Sequence, residues 1–195
     1  MSENNNFPNV VKWALVLNFV MFIVEIGFGF YANSLALIFD ATDFLGDSLN
    51  YAIAIYVLSK PKKWQSLSAL IKAAFMLSFG IYVLANGIYR VSLDEIPKAH
   101  IMIEISILAF AVNFLVSTML FKFRDGGSNQ KSVWLCSRND AINNVMTIIA
   151  GILTINFNSK WPDLIVAAIM AFLAISASMV VFREVKKEMR DFFQS

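Results

Sequence analysis

Six long apolar segments constrain this chain more than any other feature. Each has about 20 residues or slightly more, the length that a helix needs to cross the hydrocarbon core of a bilayer. The segments cover residues 10–31, 35–58, 67–89, 98–121, 133–157 and 162–182. Because they are continuous rather than alternating in hydropathy, they predict helices and exclude an outer-membrane barrel. We therefore expect an all-α integral membrane protein with six transmembrane helices.

The composition supports this class. Apolar residues make up 58% of the 195 residues and charged residues only 15%, far from the balance of a soluble domain. A net charge of +2 gives no reason to expect nucleic acid as a partner. The single cysteine excludes an intramolecular disulfide. The first segment follows a polar head without a small-residue cleavage pattern, so we expect it to remain in the mature protein.

The loops are short, and their basic residues are distributed unevenly. Lys and Arg concentrate after the second and fourth segments and in the tail, residues 183–195. By the positive-inside rule, both termini are expected to be cytoplasmic. No loop is long enough to hold a domain, so we interpret residues 1–195 as one transmembrane domain with a short tail and no C-terminal domain. We expect a multi-pass protein of a bacterial inner membrane, in contact with lipid.

The second segment, "LALIFDATDFLGDSLNYAIAIYVL", contains three aspartates. At about 100° per residue, Asp40, Asp43 and Asp47 project from one helical face. A carboxylate in hydrocarbon is costly, so such residues usually face a cavity and have a function. Asp40 is nearest the outer end, which favours an access or structural role. Glu25, nearer the outer end of the first segment, is interpreted as a glutamate with a structural partner, in preference to a release path with weak cation affinity.

The fifth segment carries a second polar face within "VWLCSRNDAINNVMTIIAG". The residues on it are Cys136, Asp140, Asn143 and Asn144, at spacings of four and three. A rise of about 1.5 Å per residue puts Asp140 at about the depth of Asp47. Oxygen ligands from two facing helices suit a divalent cation, whose charge offsets their mutual repulsion. The pattern predicts a metal site between the second and fifth helices.

The residues leave alternatives open. A buried aspartate can be a neutral hydrogen-bond donor or the partner of Arg138 or Lys72. Asn143 and Asn144 can supply an amide oxygen to a metal or join helices by hydrogen bonds. Cys136 is either a ligand or a small packing residue. As a ligand, its thiolate would suit zinc, cadmium or copper(I), whereas carboxylates favour harder ions.

Two motifs resemble those of the cation diffusion facilitator family. "NSLALIFDATDFLGDSLNYA" resembles the family's second-span pattern GSxALxADAxHxxxD, and "CSRNDAINNVMTIIAG" resembles its fifth-span pattern HxxxDAxxS. Asn18, Asn113, Gly151 and the sixth-span stretch "WPDLIVAAIMA" add to the likeness, which covers all six spans. The resemblance implies a homodimeric exporter that exchanges a divalent transition metal for protons by alternating access.

The same resemblance implies roles for individual residues. Asp43 and Asp47 would be ligands from the second span and Asp140 a ligand from the fifth. Cys136 stands where the family usually has histidine, and Asn144 stands at the family's serine position. Family members commonly carry a cytoplasmic domain that supports dimerisation, so a homodimer of this chain would form through its membrane helices.

The substrate expected from these residues is a divalent ion, with zinc, cadmium, cobalt, iron and manganese as candidates, and no separate cofactor is expected. Two other functions remain open: a non-transporting membrane subunit or assembly factor, and a proton-coupled exporter of small organic cations. We do not expect an enzyme, since the sequence has no phosphate loop, no HExxH and no nucleophile–base set.

Overall fold

The fold is entirely helical in the residues that the computed structural model describes, which are 6–57, 62–93, 95–123 and 128–194. The helices, in chain order, are α1 (Phe7–Ala32), α2 (Leu35–Val57), α3 (Lys62–Val91), α4 (Ala99–Phe121), α5 (Ser128–Phe157) and α6 (Trp161–Gln194). They correspond one to one with the six apolar segments. The prediction of an all-α membrane protein is confirmed.

Five of these helices are apolar enough to cross a membrane on composition alone, namely α1, α3, α4, α5 and α6. The exception, α2, has 23 residues, about 35 Å of helix, which is long enough to cross. Its aspartates lower its hydropathy. The other helices shield these polar groups from lipid, since almost every residue from Ser34 to Ser48 is buried or half-buried.

The helices pack mainly as three pairs, α1 with α2, α3 with α6, and α4 with α5. Helix α2 also contacts α3, α5 and α6, so it touches four of the other five helices. It is therefore the central helix of the bundle. The acidic face recognised in the sequence lies on the element that contacts most of the others.

A tight turn fixes α2 against α1. Asn33 ends α1 in the left-handed region, with φ 56° and ψ 38°, a conformation that asparagine tolerates better than most residues. The backbone N–H of Ser34 donates to the carbonyl of Gly29 at 3.1 Å. A Cβ on Gly29 would lie 2.9 Å from Cγ1 of Ile38. Only glycine allows the two backbones to approach this closely.

Three helices extend past the apolar segments that predicted them. Helix α3 begins at Lys62, α5 begins at Ser128 and α6 continues to Gln194. Hydropathy marks the part of a helix that lies in hydrocarbon, whereas Lys, Arg, Glu and Met continue a helix into water. The described part of the tail, residues 183–194, is therefore a continuation of α6.

The outward-facing surface of the bundle is strongly apolar. Large side chains are exposed on several helices, including Trp13 and Phe30 on α1, Phe114 on α4 and Phe172 on α6. A soluble monomer rarely exposes so much contiguous apolar surface, whereas lipid contact stabilises it. The chain is a multi-pass integral membrane protein.

Candidate metal centre

Helices α2 and α5 cross as antiparallel neighbours. Asn144 Nδ2 donates to Asp40 Oδ2 at 2.5 Å, and Asn143 Nδ2 lies 3.4 Å from Asp43 Oδ2. Further along α2, the Tyr51 hydroxyl lies 2.6 Å from Oγ of Ser137 on α5. Residues with higher numbers on α2 therefore pair with residues with lower numbers on α5, as in an antiparallel helix pair.

This register gives the relative depths of the predicted ligands. Asp47 lies between Asp43 and Tyr51 on α2, and Asp140 lies between the partners of those two residues on α5. Asp47 and Asp140 therefore occupy the same layer of the bundle. Their depths in the membrane, estimated from the helical rise per residue, led to the same expectation. Asp47 is buried, whereas Asp43 and Asp140 are half-buried.

Tyr51 orients Asp47, the buried carboxylate of this layer. The hydroxyl of Tyr51, one turn after Asp47, donates to Asp47 Oδ2 at 3.0 Å. Because that hydroxyl has a single proton, the Ser137 hydroxyl must donate to the Tyr51 oxygen. Tyr51 and Ser137 are both fully buried. The sequence reasoning missed both residues, although the spacing of four between Asp47 and Tyr51 was visible on the same helical face.

The fourth predicted position is Cys136, one turn before Asp140 on α5. Its side chain lies outside the described part of the structure. Among the described side chains, no three His, Cys, Asp or Glu residues are close enough together to hold a metal ion. In this arrangement, α2 and α5 present two half-buried carboxylates and one buried carboxylate without converging on a single point.

Asn144 connects α5 to two other helices. Its Nδ2 donates to Asp40, and its Oδ1 accepts a hydrogen bond of 2.9 Å from Nδ2 of Asn113 on α4. All three residues are fully buried. Both ends of the Asn144 amide are thus engaged within the protein. This use matches the alternative in which the asparagine joins helices.

Glu25 of α1 lies against Asp40 of α2. The two carboxyl groups are within hydrogen-bonding reach of each other, and both side chains are fully buried. A structural partner was predicted for Glu25 from the sequence, without the identity of that partner. That partner is a second acid.

A separate cluster fastens the end of the bundle where α2 begins. Asp163 of α6 accepts hydrogen bonds from Ser34 Oγ at 2.5 Å, from the Leu35 N–H at 2.8 Å and from the Ala36 N–H at 3.1 Å. Ser34 Oγ in turn accepts from the Leu37 N–H at 3.1 Å. An acid on one helix therefore caps the N-terminus of another. The sequence reasoning missed this role of Asp163.

Basic side chains tie the neighbouring loops to the same end. Arg90 Nη1 donates to the carbonyl of Asn33 at 2.6 Å, and Asn33 Nδ2 donates to Glu95 Oε2 at 2.6 Å. Lys160 Nζ donates to the carbonyl of Val91 at 3.0 Å. The α1–α2 turn, the end of α3 and the α5–α6 turn are thereby linked.

The fold and this geometry define a class: a multi-pass helical membrane protein whose second and fifth helices carry carboxylates at matching depth. A family model described as the cation efflux transmembrane domain matches residues 11–189. The chain belongs to the cation efflux family, which confirms the resemblance found in its sequence.

Several curated proteins are similar to the chain. The "Cadmium, cobalt and zinc/H(+)-K(+) antiporter" of Bacillus subtilis is 28% identical over 94% of this chain and 65% of its own length. The "Metal cation efflux system protein CzcD" of Cupriavidus metallidurans is 24% identical, covering 89% of this chain and 58% of that protein. The "Vacuolar zinc transporter ZRC1" of Saccharomyces cerevisiae is 26% identical over 59% of this chain and 28% of its own. The chain thus spans at most about two thirds of each of these relatives.

Proposed function

We propose that the chain exports divalent metal cations in exchange for protons, through a site between α2 and α5. One observation carries the proposal: the register of the two helices puts Asp47 and Asp140 in the same layer, with Asp43 one turn from Asp47. Carboxylates from two crossing helices at one depth supply oxygen ligands to a cation. The family membership of the chain supports the same function.

The proposed ligands are Asp43 and Asp47 from α2 with Asp140 and Cys136 from α5. Asp47 and Asp140 share one layer, and Asp43 and Cys136 each lie about one helical turn from that layer in the sequence, so binding of one ion by all four requires a movement of α5 against α2. We assign Asn144 to positioning, since both ends of its amide bind other side chains. Asp40 belongs with Asn144 and is not a proposed ligand.

Metal and protons compete for the same carboxylates. The ligands bind a divalent cation when they are deprotonated, so binding releases protons. Protonation of the carboxylates on the opposite side of the membrane weakens their hold on the ion and releases it. Since the two cargoes cannot occupy the same oxygens, movement of one in one direction drives the other in reverse.

The first substrates to test are zinc, cadmium and cobalt, which appear in the names of the relatives. A thiolate ligand at Cys136 favours zinc and cadmium over iron and manganese. We also propose that the chain acts as one transmembrane domain that forms a homodimer through its membrane helices. Crosslinking in membranes, with and without dilution by lipid, tests that association.

The transport proposal is tested in proteoliposomes with a metal-sensitive dye and a pH dye inside. Wild-type protein should move zinc or cadmium against a proton flux, while Asp47→Asn and Asp140→Asn should abolish both signals. Glu104→Gln is the matched control because Glu104 is an exposed carboxyl on α4, and it should transport normally. Full transport by both aspartate variants would refute the site. Wild-type protein that moves only organic cations, or nothing, would favour the other two functions.

A further inference from the structure

The carboxyl group of Glu25 is buried without a hydrogen-bond donor among the residues that the structure describes. Glu25 is fully buried in α1, and neither of its oxygens accepts a hydrogen bond from any described residue. The side chain within hydrogen-bonding reach is Asp40, which is also a carboxyl group. Two carboxylates cannot hydrogen bond to each other without a proton between them.

The charges around the pair do not replace that proton. No described Lys, Arg or His forms an ion pair with either acid. The helices packed around them carry further Asp, Glu, His, Lys and Arg side chains that the structure describes. The acids are Asp43, Asp47, Glu104, Asp140 and Asp163, and the basic residues are Lys12, Arg90, His100, Arg138, Arg183 and Lys186. All of these basic side chains are exposed except Arg90, which donates to the carbonyl of Asn33. Two buried adjacent carboxylates without a counter-ion are strongly disfavoured.

The hydrogen bonds decide which acid holds the proton. Asp40 Oδ2 accepts from Asn144 Nδ2 at 2.5 Å, and that amide is oriented by Asn113. Asp40 therefore has a donor that stabilises a negative charge, whereas Glu25 has none among the described residues. In a pair with one proton, that proton therefore belongs on Glu25, whose hydroxyl can donate to Asp40 Oδ1, an oxygen without another described donor.

We propose that Glu25 and Asp40 form a proton-binding site of their own, separate from the metal ligands, whose single proton is released when a divalent ion enters the neighbouring centre. Release of the proton on metal binding rests on the proposed function, whereas the protonated state of the pair in the metal-free protein is independent of it.

Proximity gives the coupling its physical basis. Asp40 precedes Asp43 by three residues, a separation of about 4.5 Å along the helix axis. A divalent charge bound at Asp43 and Asp47 lowers the free energy of a second negative charge nearby, and in a low-dielectric interior that interaction is strong. The proton leaves Glu25 and the pair becomes two carboxylates. Asn144, on the turn after Asp140, connects the same pair to α5.

Infrared spectroscopy tests the metal-free state directly. We expect protein labelled with ¹³C at its glutamate carboxyl groups to show, at neutral pH, a protonated-carboxyl band shifted by the isotope. Glu104 is the glutamate to exclude, because it also lies within a membrane helix. Met21 and Ala109 share one buried cluster, and the ring of Phe7 packs against that of Phe123 just after α4, which indicates the antiparallel register of α1 and α4. That register puts Glu104 at the depth of Glu25.

The band should persist in labelled Glu104→Gln protein, which leaves the buried pair intact, and should be lost in Glu25→Gln protein. The labelled Glu104→Gln protein shows whether Glu25 is protonated even if the Glu25→Gln protein fails to fold. Absence of an isotope-shifted band from both the wild-type and the Glu104→Gln protein would overturn the proposal, as would its survival in folded Glu25→Gln protein.

Counting protons tests the coupling. Zinc binding to purified wild-type protein is measured by calorimetry in buffers of different ionisation enthalpy, which gives the protons released per ion. Glu25→Gln should bind zinc and release about one proton fewer, and Glu104→Gln should match wild type. An unchanged count in Glu25→Gln would refute the coupling. Wild-type protein that binds no zinc would refute the proposed function instead, while the infrared result would still decide whether the pair holds a proton.

Discussion

The cap that α6 provides for α2 predicts a specific loss of stability. Asp163 Oδ1 accepts from Ser34 Oγ and from the Ala36 N–H, while its Oδ2 accepts from the Leu35 N–H. Asp163→Asn can keep the first two bonds through its carbonyl oxygen. Its amide nitrogen, however, would face the Leu35 N–H, so two donors would meet in a fully buried place.

The size of the effect follows from these bonds. A hydrogen bond to a charged group contributes about 1.5–3 kcal/mol, and an unpaired buried donor costs a similar amount. We therefore expect Asp163→Asn to lower the free energy of unfolding by about 2–4 kcal/mol, where 2 kcal/mol is about 30-fold in the equilibrium constant. Asp163→Ala loses all three bonds and should cost more, at least about 4 kcal/mol.

The assay is unfolding of purified protein in mixed micelles by increasing dodecyl sulfate, followed by circular dichroism. Ser92→Ala is the control, because Ser92 lies at the same end of the bundle, is exposed, and its hydroxyl donates to the carbonyl of Tyr89 in the preceding turn at 2.7 Å. It should change stability by less than about 0.5 kcal/mol. If Asp163→Asn were as stable as wild type, or Asp163→Ala no worse than Asp163→Asn, the capping role would be refuted.

Two further predictions concern packing and the metal centre. Gly29→Ala should destabilise the protein by about 1–3 kcal/mol, because its Cβ would lie 2.9 Å from a side-chain atom of α2. Gly27→Ala, where a Cβ meets nothing within 4 Å, should be neutral or stabilising by up to about 1 kcal/mol; equal effects of the two in the unfolding assay would contradict the close approach. Tyr51→Phe should leave the protein folded but weaken zinc binding by about 10-fold or more, since it removes the bond that orients Asp47. Tyr82→Phe, an exposed tyrosine on α3, is its control, and unchanged calorimetric affinity in Tyr51→Phe would exclude the orienting role.

Much of the fold followed from local pattern. The length and hydropathy of each segment predicted a helix, and all six helices are present. The helix ends were less well predicted, since α3, α5 and α6 extend into polar residues where hydropathy carries no signal. The spacing of Asp43 and Asp47 also gave their shared face, because the pitch of an α-helix is the same in every sequence.

The candidate site was predictable only in part. The depth of Asp47 relative to Asp140 could be estimated from helical rise, and the structure places them in one layer. The engagement of Asn144 with Asp40 and Asn113 could not be estimated, because each bond joins residues on different helices. Whether Asp43, Asp47, Asp140 and Cys136 bind a metal remains a prediction.

The sequence by itself determined how many helices cross the membrane and which faces are acidic. These properties follow from the thickness of the hydrocarbon core and the helical period, which act on each segment independently. Only the tertiary structure decided that Glu25 meets Asp40 and that Asp163 caps α2. Such partners are set by how helices pack and which rotamers the packing allows, so Glu25 and Asp40 on successive helices, or Leu35 and Asp163 at 128 positions apart, meet without any local signal in either segment.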